Sequence, residues 1–331
     1  MNVNQALRKK IMGHIVSQAI HAVTLLKVPD ALAGQPLHLD QLAAATGADA
    51  DALHRFMRVL VAEGVFCEPQ AGTYALTDMG ELLRTDTPGS LSHLSTLMAG
   101  EAYEAWGAAV HSLRTGRPTF DHLYGAPYFE WLAQNPRASR AFHDGQAGLV
   151  QMRLLPLLNR DWTSIGTVAD IGGGNGTLMM TLLEQNPHLS GVVFDLPQAL
   201  DQAEEAIADA GLGGRAACAA GDFFKAIPPG SDVYVLSQIL HDWDDERAAQ
   251  ILQSCRAAAG PGSRLLILDQ VLPHDSGSQP AALLDLHMLI LLGGRERTEA
   301  AWKDLIERCG FRVVRDIEHG PRSSLIEAVP V

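Results

Sequence analysis

The run VADIGGGNGT, residues 168–177, sets Asp170 at the end of an apolar stretch and follows it with a glycine loop. Gly172, Gly174 and Gly176 are spaced for a turn that lets backbone N–H groups come close to a ligand. A dinucleotide fingerprint needs G-x-G-x-x-G, and Thr177 stands where its third glycine would fall; a P-loop needs the GK[ST] that is missing here. Asp170 lies two residues before the first loop glycine, where its charge opposes a pyrophosphate and favours a cationic head such as an ammonium or a sulfonium. The alternative is a plain strand-to-helix turn, in which glycines are common.

Two further acids sharpen the choice. Asp195 ends GVVFDLP, twenty-three residues after Gly172, with two carboxylate oxygens to match a ribose diol. The run GDFF, residues 221–224, offers the Asp222 carboxylate and aromatic faces for an adenine ring. Each acid alone could cap a following helix. Three of them at three successive strand ends describe an adenosine joined to a cationic amino acid, which is S-adenosylmethionine. Methyl transfer from a sulfonium needs an oxygen nucleophile held in line and a base for its proton. A phenol of pKa about 10 is within reach of a histidine of pKa about 6.5 when deprotonation accompanies attack. His241, in ILHDWDDE after the fourth strand, stands at the cofactor end of the sheet; its other reading is a helix-cap histidine beside Asp242 and Asp244.

With these runs in hand, the chain resembles a class I methyltransferase of the plant-type small-molecule O-methyltransferase family, whose bacterial relatives decorate aromatic natural products. VADIGGGNGT, FDLP, GDFF, LSQILHDWDDE, LLILDQVLP, DLHML and GGRERT carry the resemblance in the family's order, over nearly the whole length. It implies an α/β fold: a Rossmann-like sheet, parallel with a C-terminal antiparallel hairpin, behind an N-terminal helical, winged-helix-like dimerisation domain. It also implies a cofactor site of Gly172, Gly174, Asp195, Leu196, Asp222, Phe223 and Ser237, with S-adenosylhomocysteine as product. His241 matches the family's base, and Asp269 and Glu296 match its two flanking acids. Asp269 is one methylene shorter than the glutamate of the plant members, so Glu296 is the stronger expectation. Ser237 replaces a lysine that contacts the cofactor there. Asp285 is the odd acid in an apolar helix and is implied to line the substrate pocket or support it. Met288 and Leu292 lie on nearby faces, as pocket lining or as core. No metal is implied. His274, His287 and His319 are expected to be isolated, structural or solvent-facing.

The elements that must hold these residues follow from pattern. The chain has 331 residues, 47% hydrophobic and 19% charged, enough for two domains with real cores. No apolar window is long enough to span a bilayer and the first residues lack signal-peptide order, so a cytoplasmic location is expected. Cys67, Cys218, Cys255 and Cys309 lack CxxC spacing and are read as reduced thiols. The net charge of −13 argues against a nucleic acid partner. Residues 38–85 read as a helix-turn-helix with a two-stranded wing, yet they hold three basic residues against seven acidic ones, which suits a scaffold or dimerisation module. A long, nearly uncharged first helix points to a homodimer. Phe120, Tyr124, Tyr128, Phe129 and Trp131 are either ordinary core or the wall of a pocket for a flat aromatic substrate, with the 142–152 stretch and the 285–292 helix.

From Gly166 onward, TVADI, GVVFDL, RAACAA, DVYVLS, RLLILDQV, RVVRDI and SLIEAV read as strands, with helices separating the first five and a hairpin closing the last two. The expected domains are residues 1–100 for dimerisation, 101–160 as a helical connector to the pocket, and 161–331 for cofactor binding and catalysis. The activity expected is methylation of a phenolic hydroxyl on a small aromatic. Two alternatives stand beside it: a relative that keeps the cofactor but hydroxylates or decarboxylates, and a winged-helix metabolite sensor.

Overall fold

In the computed structural model the described residues are 2–273, 279–320 and 323–331, without the side chains of 143–144, 146–152 and 279. His274 and most side chains of the 142–152 stretch lie outside them. The chain divides into two compact units, residues 1–104 with 137–149, and residues 105–136 with 150–331. Among the described residues no helix is long and apolar enough to cross a membrane.

The first unit opens on two helices, Val3–Ile11 and Gly13–Leu25, interrupted at Met12 where the sequence suggests one continuous helix. The first buries none of its own residues and leaves Val3, Leu7 and Ile11 exposed. Helix Leu39–Thr46 stops at Gly47, whose φ of 67° is open to glycine at little cost. Helix Ala50–Ala62 starts where the Asp49 side chain caps the N–H of Ala52 at 2.9 Å. Strands β1 (Leu37–His38), β2 (Phe66–Gln70) and β3 (Thr73–Leu76) form an antiparallel wing in the order β1-β3-β2. The helices and the wing close on Val23, Val28, Leu42, Leu53, Met57, Leu60, Phe66 and Tyr74.

The second unit is built on a sheet of β4 (Thr167–Ile171), β5 (Ser190–Asp195), β6 (Ala216–Ala220), β7 (Val233–Ser237) and β8 (Arg264–Asp269). A separate parallel pair follows, β9 (Val271–Leu272) with β10 (Arg297–Thr298). Then come β11 (Phe311–Val313), β12 (Glu318–His319) and β13 (Ser324–Pro330), which return to the main sheet. Its order is β11-β13-β8-β7-β4-β5-β6, with β12 on β13; β13 runs antiparallel to β8 and β11.

Alternate strand residues feed two cores, because successive side chains leave a strand on opposite faces. Val168, Val193, Val233, Val235 and Leu266 pack with helices Thr177–Gln185 and Pro197–Asp209. Ala169, Ile171, Tyr234, Leu236 and Leu265 pack with helices Asp245–Ala258 and Glu299–Arg308. Burial on both faces explains why these strands read as continuous apolar runs.

One expectation is corrected. Helices do not separate all of the first five strands: residues 221–232, between β6 and β7, hold a turn and no helix. Pro228, Pro229 and Gly230 explain it, since prolines withhold helical N–H donors and Gly230 takes a φ of 97°. The short link keeps Asp222 and Phe223 in a loop at the strand end.

Candidate active site

β4 lies between β5 and β7, so the winding reverses direction there and leaves a crevice beyond the strand ends. The glycine loop occupies one lip. Gly172, Gly174 and Gly176 all take positive φ, at 73°, 54° and 74°. The Gly172 N–H donates to the Phe194 carbonyl at 2.8 Å, and the Gly174 N–H to Asp195 Oδ2 at 2.8 Å. Asp195 Oδ1 accepts the Leu196 N–H at 2.7 Å, so the carboxylate is pinned between loop and strand end. A Cβ on Gly172 would run into the Ile239 side chain and lie 3.7 Å from the Phe223 ring. Only glycine, at this positive φ, lets the turn lie against those two side chains.

Asp170 sits beneath it. The carboxyl is 1% exposed, a Cβ at Gly173 would fall 2.7 Å from its Oδ2, and among the described residues that oxygen has no hydrogen-bond partner. Burial first, then the charge of Asp195, pushes its pKa up to about 7. An orphaned acid under a glycine cradle gains a partner when a cation enters. These residues fit the aminoacyl-sulfonium end of S-adenosylmethionine and oppose a phosphate. At the third strand end, Asp222 Oδ1 accepts the Phe224 N–H at 2.9 Å, and the Phe223 ring packs edge-on against Phe224 at 4.8 Å and Trp243 at 6.2 Å. Phe129 meets the same Trp243 at 6.0 Å, so the aromatic segment Phe120–Trp131 joins Phe223 and Phe224 through one indole. Ser237 ends β7 beside Leu268 and is half-buried.

The other lip is a buried acid–histidine centre. After β7, Gln238 takes a left-handed φ of 56°, uncommon for a side chain of its size. Its backbone N–H and its Nε2 both donate to the Leu268 carbonyl, at 2.9 and 3.0 Å, and Nε2 lies 3.3 Å from Asp269 Oδ1. A 3₁₀ turn, Leu240–Asp242, then carries His241 inward to 6% exposure. Nδ1 of His241 meets Glu296 Oε1 at 2.7 Å, and Nε2 lies 3.3 Å from Asp242 Oδ1. The β9–β10 pair brings the two flanking acids into one place, because Val271 pairs with Arg297, a neighbour of Glu296. Asp269 and Glu296 are both buried, and among the described residues Asp269 Oδ2 and Glu296 Oε2 have no hydrogen-bond partners.

Burial pulls the His241 pKa down, but Glu296, then Asp242 and Asp269, outweigh it and hold the imidazolium up to about 10. Burial pushes the Asp269 carboxyl up to about 8 and Asp242 up to about 6. At neutral pH Asp269 therefore keeps its proton. An imidazole whose conjugate acid titrates near a phenol matches it in basicity, but it is largely protonated at neutral pH, so its base form grows as pH rises towards that value.

Three supporting residues stand inside runs that carry the resemblance, LSQILHDWDDE and GGRERT, but were given no role by the sequence. Arg297, 2% exposed, donates to the Leu240 carbonyl at 2.9 Å and the Trp243 carbonyl at 2.9 Å, and pairs with Asp245 at 2.8 Å. Gly294 lies against the His241 backbone so closely that a Cβ would collide with the His241 carbonyl. Gln238 is the third. Asp285 accepts the Glu296 N–H at 2.9 Å, which gives it a positioning role. Met288 is buried on the same helix, Gln279–Leu291. His287 corrects an expectation: it is neither isolated nor exposed, but buried and bonded to Trp106. His319 meets Ser324 at 3.2 Å. Among the described residues no group of three His, Cys, Asp or Glu is placed to hold a metal ion.

Residues 103–312 match the family model of an O-methyltransferase domain, and residues 9–86 that of an O-methyltransferase dimerisation domain. The phenazine O-methyltransferase PhzM of Lysobacter antibioticus is 37% identical over 99% of this chain and 97% of its own. A phenazine-1-carboxylate N-methyltransferase of Pseudomonas aeruginosa is 30% identical over 96% of this chain and 95% of its own. The crystal structure of an O-methyltransferase from neocarzinostatin biosynthesis, in complex with S-adenosylmethionine and 2-hydroxy-5-methyl naphthoic acid, superposes with a TM-score of 0.85 at 34% identity, covering 95% of this chain and 96% of that one.

Proposed function

The chain belongs to the O-methyltransferase family, with that family's dimerisation domain in front, and is an S-adenosylmethionine-dependent methyltransferase; from that premise we propose that it methylates a phenolic hydroxyl of a small, flat, natural-product-like aromatic with His241 as general base. The cofactor, when bound, supplies an electrophilic methyl group on a cationic sulfur. The rest falls to side chains of this chain. Gly172 and Gly174 leave room for the cofactor's cationic end, with Asp170 beneath them as its countercharge. Asp195 with Leu196 receives the ribose, and Asp222 with Phe223 the adenine. Ser237 borders the cofactor from β7. Phe129 and Trp243 offer ring faces to the acceptor, with Met288 as apolar lining.

The observation that carries the reading is the 2.7 Å contact between His241 Nδ1 and Glu296 Oε1. It commits Nδ1 to the acid, so the proton exchanged with substrate moves through Nε2. Glu296, itself held by Asp285, stabilises the imidazolium formed as the phenol gives up its proton. Gln238 holds Asp269, the second buried acid of the centre. Some relatives are N-methyltransferases, but an amine needs its lone pair more than a buried base.

The test joins binding to turnover. His241→Ala retains S-adenosylmethionine affinity within about threefold by calorimetry and loses about 10² to 10⁴-fold in S-adenosylhomocysteine release with a phenolic acceptor. Unchanged turnover removes His241 as base. A product that loses carbon dioxide or gains oxygen, in place of a methyl-sized mass gain, overturns the methyl-transfer reading.

A further inference from the structure

Joining the methyl group of a sulfonium to a phenol yields a neutral ether, a neutral thioether and one proton. An O–C bond replaces the S–C bond, the O–H bond breaks, and the proton must reach solvent before the next cycle. It is released in a sealed place: the His241 side chain is 7% exposed and that of Glu296 0%. Nδ1 is committed to Glu296 Oε1 at 2.7 Å, so the proton arrives on Nε2 and has to leave from Nε2. Asp242 Oδ1 lies 3.3 Å from that nitrogen, near enough to take the proton once the acceptor has left, yet farther than the partner of Nδ1. Among the acids described around the imidazole, Asp242 is the one that reaches toward water, with its side chain 13% exposed while Glu296 and Asp269 are buried.

The backbone keeps Asp242 in that place. Its N–H donates to the Ile239 carbonyl at 3.2 Å, its carbonyl lies where a Cβ at residue 294 would meet it, and Arg297 holds the Leu240 and Trp243 carbonyls on either side. The charge of Arg153, from helix Pro136–Leu158, also reaches Asp242, and Glu296, Asp269 and His287 are the other ionisable groups felt around the pair. Burial pushes the Asp242 carboxyl up to about 6, so at neutral pH it is mostly ionised and free to receive a proton. We propose that Asp242 is the exit for the proton of the reaction, a positioning residue that takes it from His241 Nε2 after each transfer and passes it to solvent. The N–H bond at Nε2 breaks with its electron pair left on the ring, an O–H bond forms at Oδ1, and a water or a buffer base then removes that proton. The inference rests on the reading of His241 as the base of a phenol methylation.

The test separates the first turnover from those that follow, by rapid quench with 2-naphthol as the phenol. In Asp242→Asn the amide has no site for the extra proton, and the lost charge leaves more of His241 in its base form at the start. One methyl ether per site then forms at a rate within about threefold of the wild type, the steady rate drops about tenfold, and imidazole added to the buffer restores it by taking the proton directly. Asp242→Glu, which keeps a titratable acid, recovers part of the loss without imidazole. Equal losses in the first and later turnovers would give Asp242 a part in the methyl-transfer step and overturn the proposal. So would a steady rate that stays at the wild-type value, since the proton then leaves without Asp242. If the wild type binds the cofactor but methylates no 2-naphthol, or if His241→Ala turns over as the wild type does, the phenol-and-base reading goes and this inference goes with it. A second measurement needs no turnover. In protein labelled with ¹⁵N-histidine and assigned against His241→Gln, the Nε2 proton of His241 exchanges with water about tenfold more slowly in Asp242→Asn than in the wild type. Equal exchange rates sink the proposal.

Discussion

The carbonyl oxygen of His241 occupies the space that a Cβ at residue 294 would need, and that same carbonyl accepts the Arg295 N–H at 2.8 Å. The segment carrying Glu296 is thus clamped by its backbone to the turn carrying the base. Glu296 reaches His241 Nδ1 at 2.7 Å because both backbones are fixed against each other.

Gly294→Ala therefore acts at a distance of two residues from the acid it misplaces. The added methyl pushes the Glu296 segment from the His241 turn, and kcat falls about 10²-fold, as for small misplacements of a catalytic pair. Cofactor affinity, set on the glycine-loop lip, stays within about threefold. Steady-state kinetics beside calorimetry checks the split, and equal losses in both would mean that the fold as a whole has shifted.

Glu296→Gln separates charge from geometry. The imidazole acts when deprotonated, so kcat/KM rises with pH through the His241 pKa. Glu296 is the largest charge holding that pKa up to about 10, and its loss moves the rising limb to lower pH. The amide still meets Nδ1, so the ring keeps its place while the imidazolium loses its countercharge; kcat at the plateau falls about 10² to 10³-fold. A pH–rate profile with a lower plateau and an unmoved limb would mean that Glu296 orients the ring and does not set its basicity.

Arg297→Lys tests the clip behind the base. The guanidinium fork reaches the Leu240 and Trp243 carbonyls and Asp245 together, which one ammonium cannot do. Losing one or two charge-assisted bonds costs about 1.5–3 kcal/mol of stability. Urea unfolding measures that loss, and kcat falls with it because the His241 turn is no longer tied at both ends. A variant as stable as the wild type would show that water replaces the fork.

The sequence disclosed what depends on local chemistry. The glycine spacing, the acids at strand ends, and the order of HDW and RERT were legible because backbone conformation and cofactor contact demand particular residue types at fixed positions. Asp170 was legible as a charge near the loop, but its place beneath Gly173 came from the packing of β4 against β5. The roles of Gln238, Gly294 and Arg297 were not legible, although all three stand in quoted runs. Their roles depend on the β9–β10 pairing and on the approach of two loops distant in sequence, which no periodicity encodes. His287 was misread for the same reason: its partner Trp106 is 181 residues away. The helix expected between β6 and β7 failed on a local signal that was present, the Pro228–Pro229–Gly230 stop.

Asp170→Asn makes the protein more stable and the cofactor site worse. In the folded state this carboxyl titrates near about 7, against 3.8 ordinarily, so between those values the folded chain binds more protons than the unfolded one. Stability therefore falls as pH rises from about 4 to about 7 and stays lowered above that. An asparagine has no such proton to lose. Its advantage over aspartate grows across that window, with a ceiling of about 4 kcal/mol by linkage, reduced by whatever its unpaired N–H costs. Tm measured at pH 4.5, 6 and 8 should show the variant gaining on the wild type at each step. Calorimetry at pH 8 should show S-adenosylmethionine bound about tenfold more weakly, since the loop has lost the countercharge beneath Gly173. A Tm difference that ignores pH would mean that Asp170 has a cationic partner within the chain, and the vacant oxygen under the glycine loop would lose its link to the cofactor.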